Sequence, residues 1–136
     1  MKAHPLFSLL LLLLPLLLGC QRRMAEGTHV ASPDEEIQLQ VGDRLRADPR
    51  ADDFFTFVKV LEDSRCPRGV QCIQAGRAVV AVQVMRDGTL TEETVTIDGN
   101  ALATDQGPLQ LVHLEPYPDA SVPDPGPYRL TVRLLE

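Results

Sequence analysis

Cysteine, histidine, serine and carboxylate side chains are the groups able to attack, ligate or move protons, and their spacing limits what they can do here. Cys66 and Cys72 stand six positions apart, with Cys20 far from both. The pair is not the Cys-x-x-Cys of a thioredoxin-like redox centre, and no second pair completes a zinc site. His4, His29 and His113 lie beside no identifiable nucleophile, and Ser64 and Ser121 lack the glycine-flanked setting of a nucleophile elbow. Asp48, Asp52 and Asp53, and again Asp98, Asn100 and Asp105, carry oxygens that suit calcium. Neither set has EF-hand spacing or a closing Glu, so solvated turns account for both. No phosphate-cradling glycine-rich loop is present. These groups assign no catalytic residue, metal or cofactor.

The apolar residues are spread unevenly. Residues 6–18 hold ten Leu and no charge, behind Met1 and Lys2. Thirteen residues are too few for a bilayer core, which needs about 20, and Pro15 interrupts them. The stretch fits the apolar region of a secretory signal. Its end, Leu17-Leu18-Gly19-Cys20, resembles the lipobox of bacterial lipoproteins. That resemblance implies cleavage between Gly19 and Cys20, a diacylglyceryl group on the Cys20 thiol and an acylated new amino terminus. Two or more chains, at about 0.8 kcal/mol per buried CH₂, anchor a protein stably where one does not. By the same analogy Gln21, in place of a retaining Asp, points to the outer membrane with the domain facing the periplasm.

Assigning Cys20 to lipid leaves Cys66 and Cys72 as a matched pair, and an oxidising compartment favours bridging them. Pro67 and Gly69 suit the second and fourth positions of a tight reversal between them. Closing so small a loop is worth about 2–2.5 kcal/mol in the chain-entropy account.

These groups must be positioned by strands. The chain divides into a signal peptide (1–19), a lipidated Cys with a polar, flexible tether (20–35) and a disulfide-stapled β-domain (36–136). Arg22 and Arg23 lie close enough to the acylated Cys to touch anionic lipid. Ile37, Leu39 and Val41 alternate with polar residues. Residues 54–61 and 79–85 are rich in aromatic and β-branched side chains, and Asp87-Gly88 signals a hairpin returning into 90–97. Residues 109–114 form a less regular strand, and Tyr128, Leu130, Val132 and Leu134 close the chain in alternation. No stretch of the mature chain has a helical apolar stripe. Six to seven strands in about 100 residues must bury one sheet face against another. The expected fold is all-β, a small antiparallel sandwich or a partly open barrel, with Phe54, Phe55 and Phe57 in its core. Residues 115–127, with five Pro, read as an extended connection.

The segment joining the two best strands carries Asp63-Ser64-Arg65-Cys66-Pro67, a second Cys at 72 and Ala75-Gly76. It resembles a motif of small exported bacterial proteins, many of them lipoproteins, to which no activity is attached. The resemblance spans residues 54–135, with Pro116-Tyr117-Pro118 and Tyr128-Arg129-Leu130 similar to that family's C-terminal pattern. Where such proteins often carry Trp, two residues past the second Cys, this chain has Gln74. From the residues themselves, Asp63 and Ser64 can satisfy turn backbone. Arg65 can pair with Asp63 or bond loop carbonyls through its planar fork. The functional alternative is that the loop presents Arg65 and Arg68 to an anionic partner.

The 136 residues carry a net charge of −6, and losing Lys2 with the signal deepens it by one. An acidic chain without a basic stripe is not built for nucleic acid. The expected partners are the membrane, through the acyl groups on Cys20, and an envelope protein or cell-wall component. The expected role is a non-enzymatic binding or structural module, and the alternative is a small periplasmic hydrolase or metal-dependent enzyme whose cleft the sequence does not reveal.

Overall fold

A computed structural model describes residues 27–105 and 107–136. The lipobox and Cys20 lie outside the described residues. Within them the chain is all-β, with nine strands and no helix. The strands are β1 (Thr28–Val30), β2 (Glu36–Gln40), β3 (Arg44–Arg46), β4 (Phe54–Asp63), β5 (Ala78–Arg86), β6 (Thr89–Thr96), β7 (Ala101–Thr104), β8 (Gly107–Glu115) and β9 (Arg129–Leu134). They form a five-stranded sheet, β1-β3-β4-β5-β6, and a four-stranded sheet, β2-β9-β8-β7. Neither closes on itself, so of the two expected architectures the sandwich is the one formed. All pairings are antiparallel except that of β1 with β3.

Alternation decides which face of each strand is buried. Leu39, Leu130, Val132, Leu109, Leu111 and Leu114 from one sheet meet Leu45, Phe55, Phe57, Val80, Val82 and Val84 from the other in a single apolar cluster. At about 25 cal/mol per Å² of apolar surface removed from water, this cluster is the main force holding the sheets together. Phe54 is only partly buried; its ring lies under the Arg44 guanidinium, 4.7 Å from the centroid.

Turn chemistry fixes the register. Asp87 and Gly88 both adopt positive φ, 47° and 74°, as a two-residue hairpin with the right twist requires. The uneven pattern of β8 has a mechanical cause. A bulge between Leu111 and His113 shifts the inward positions by one, so Leu109, Leu111 and then Leu114 face the core. His113 sits beside that bulge, with Nε2 3.2 Å from the hydroxyl of the buried Thr131.

Nine strands exceed the six to seven expected, and the three that the sequence did not mark are short. β1, β3 and β7 are three or four residues long and hold few large apolar side chains. β1 lies inside the stretch read from sequence as tether. There Asp43 accepts hydrogen bonds from the Gly27 and Gln40 amides, at 2.9 and 2.8 Å, and contacts His29 at 3.2 Å. Ala31 is buried in the core. The folded body therefore begins by Gly27, ahead of position 36.

Candidate functional site

The 64–77 segment leaves β4 at one end of the sandwich and returns into β5. Cys66 and Cys72 are joined, Sγ to Sγ, at 2.18 Å with Cα atoms 5.9 Å apart. Gly69, at φ 85°, turns the chain between them. Below the disulfide the two arms are tied together. The Ser64 amide donates to the Arg77 carbonyl at 2.9 Å, and the Ser64 hydroxyl accepts from the Arg77 amide at 3.1 Å and donates to Glu62 at 2.9 Å. Arg77 Nη2 reaches Glu62 at 2.9 Å. That hydrogen bond, then the one from Ser64, holds the Glu62 carboxyl below its usual range. Gly76 is obligatory here: a Cβ on it would lie 1.5 Å from the Ser64 carbonyl oxygen.

Arg65 ties this base to the opposite sheet. Its Nε and Nη2 donate to the two oxygens of Asp63, each at 2.7 Å, in a bidentate fork. Nη1 donates to the Leu114 carbonyl at 2.6 Å and Nη2 to that of Pro116 at 3.1 Å. Its guanidinium lies 4.7 Å from the Tyr117 ring centroid. The Tyr128 hydroxyl donates to Asp63 at 3.2 Å. The two charged side chains are well covered, at 13% and 6% exposure. Burial opposes ionisation of Asp63, but the hydrogen bonds and charge of Arg65 outweigh it and the carboxyl lies below the ordinary Asp range. Tyr128 is pushed above the usual phenol range by burial first and then by the Asp63 charge.

The proline-rich connection between β8 and β9 completes the site. The Arg68 amide donates to the Pro118 carbonyl at 2.9 Å, and the Ala120 amide to the Arg68 carbonyl at 3.0 Å. The exposed Arg68 guanidinium lies 5.3 Å from the Tyr117 centroid, on a ring Arg65 also contacts. Above this base the tip, residues 69–76, is exposed, with Val70 about half accessible and Ile73 wholly so.

Asp63, Ser64, Arg65 and Arg68 are thus brought together as one rigid base. The fork of Arg65 is filled by two carboxylate oxygens and two carbonyls from its own chain, so this arrangement braces the loop. Ser64 and His113 bond different partners, Glu62 and Arg77 for the one and Thr131 for the other. Asp48 and Asp98 each accept from the amide two residues on, as turn formers do. Among the described residues, no group of three or more His, Cys, Asp or Glu could hold a metal ion. The sequence places Tyr128 in the closing alternation but ties neither it nor Tyr117 to the disulfide loop, although their Pro-Tyr-Pro and Tyr-Arg-Leu settings carry part of the resemblance. No family model, curated protein or solved structure matches the chain.

Proposed function

We propose that this chain is a lipid-anchored protein of the bacterial envelope whose sandwich is a non-enzymatic binding or structural module. Acylation at Cys20 makes the membrane its first partner, with the body outside the cytosol, on the outer membrane facing the periplasm. The observation that carries the module reading is that four of the five N–H donors of Arg65 are bonded within its own chain. A guanidinium kept for substrate leaves donors open, whereas this one spends its fork on Asp63, Leu114 and Pro116 and so makes a stiff platform for the exposed tip. A pre-organised loop binds a partner with less ordering cost than a floppy one.

Radiolabelled palmitate tests the anchor: Cys20→Ala loses the label and keeps its signal, and a labelled Cys20→Ala protein refutes it. Crosslinking in intact cells through the 69–76 tip tests the module. A discrete adduct, an envelope protein or a wall fragment, supports it, and turnover of ester or amide substrates by the purified protein would replace it with the hydrolase reading.

A further inference from the structure

We infer that the disulfide loop docks on the surface of the membrane to which the chain is anchored, with Ile73 and Val70 entering the interfacial layer. The inference rests on the acylation of Cys20 proposed above and adds to it an orientation and a contact.

Strand direction supplies the first argument. β1 runs parallel to β3, and β3 antiparallel to β4. Gly27 lies beside Arg44, whose amide bonds its carbonyl at 2.9 Å, and Arg44 is paired with Thr56. Going backward from β1 therefore means going forward along β4, toward Asp63 and the loop. Read backward, the described chain at Gly27 therefore heads toward the loop end and away from the 87–88 hairpin.

Length supplies the second. Seven Cα steps join Cys20 to Gly27, and fully extended they span at most about 25 Å. From Thr56, level with Gly27, β4 runs seven residues to Asp63 before the loop begins, about 20 Å at the rise of a strand. With the 64–77 loop lying beyond Asp63, the tip projects toward the bilayer about as far as the tether lets the body retreat. An upright body with so short a tether sets its loop into the headgroups.

Surface chemistry supplies the third. Of the seven large hydrophobic residues exposed among the described ones, four lie toward this end: Leu61 late in β4, Val70 and Ile73 in the tip, and Val122 in the β8–β9 connection. Aliphatic side chains in the boundary layer gain from leaving water, and the lipid anchor supplies the local concentration that makes a small gain sufficient. Residues 64–77 contain Arg65, Arg68 and Arg77 and no acid, although Asp63 and Glu62 pair with two of the three. The docking is therefore aliphatic first and weakly dependent on anionic lipid.

The chain has no Trp, so a single introduced indole reports position without background. The acylated full-length protein is reconstituted into phosphatidylethanolamine–phosphatidylglycerol vesicles as Ile73→Trp and as Leu90→Trp, the latter at the opposite, exposed hairpin end. Mass spectrometry of the N-terminal peptide establishes acylation in the same samples. The expected result is a blue shift and loss of intensity to acyl-brominated lipid for Ile73→Trp, with Leu90→Trp quenched only by aqueous iodide. Acylated protein in which both indoles respond to iodide alone, or in which only Leu90→Trp meets the brominated chains, overturns the docking and leaves the anchor standing. Protein without acyl groups overturns the anchor and the docking with it.

Discussion

Replacing Arg65 by Met keeps the aliphatic stem and removes the fork. Four hydrogen bonds go with it, two to Asp63 and one each to Leu114 and Pro116. The larger cost is the carboxylate left behind, 6% exposed and retaining the Tyr128 hydroxyl as a side-chain donor. Breaking a buried pair on one side costs about 3–5 kcal/mol. The lower end applies here, since Arg65 keeps some solvent contact, and about 3 kcal/mol corresponds to a fall in Tm of roughly 13 °C for a body of this size. Thermal unfolding followed by circular dichroism measures it. The pH dependence gives a second, sharper reading. Asp63 titrates below its unfolded value when paired, so its contribution is complete above the unfolded pKa and is lost as pH falls through the folded one. In Arg65→Met the same carboxyl, buried without its cation, moves upward. The gap between the two proteins is therefore widest near neutrality and closes below about pH 4. Adding Asp63→Asn to Arg65→Met removes the stranded charge and restores part of the stability. A loss under about 1 kcal/mol, a gap unaffected by acid, or no recovery in the double variant refutes the brace.

Tyr128→Phe deletes one hydrogen bond to Asp63 and lowers stability by about 1 kcal/mol, and the phenol it removes is seen, in an ultraviolet pH titration of the unsubstituted protein, ionising above the usual range. Because that pKa is raised, its contribution is held below the unfolded value and lost as pH climbs through the folded one. Gly76→Ala, facing a carbonyl at 1.5 Å, costs about 2–3 kcal/mol in urea unfolding. Gly69→Ala, with positive φ but open space around it, costs only about 1 kcal/mol; equal effects at the two glycines would contradict the close approach. Cys66→Ser with Cys72→Ser lowers stability by about 2 kcal/mol under oxidising conditions and leaves the far-ultraviolet spectrum unchanged.

Legibility in the sequence followed burial. β2, β4, β5, β8 and β9 announce themselves because a strand with one covered face must alternate, and a central one such as β5 must be apolar on both; β6, which has no buried residue, is legible through the Asp87-Gly88 turn that precedes it. β1, β3 and β7 give no such signal: Arg44-Leu45-Arg46 is a strand because Phe55 and Thr56 lie opposite it, a fact of pairing and not of composition. In the site, the 66–72 pairing and the Asp63–Arg65 contact are local and could be read from spacing. The carbonyls of Leu114 and Pro116 and the Tyr128 hydroxyl stand 49 to 65 residues from their partners in the chain. Their arrival depends on the β8–β9 register, which sets Glu115 opposite Arg129, and no window of sequence contains that.

In the four-stranded sheet, β2 pairs only with β9, Glu36 opposite Arg133. Among the described residues, the first strand of that layer thus finds its neighbour only in β9, and every ladder bond of β2 closes a loop of about ninety residues or more. Such distant closure is entropically slow. A nascent or threading chain can zip β4, β5 and β6 into a meander while β2 remains without a neighbour. The β7–β8 hairpin can form on its own, but the second layer is completed, and β2 joined to β8, only once β9 has come through.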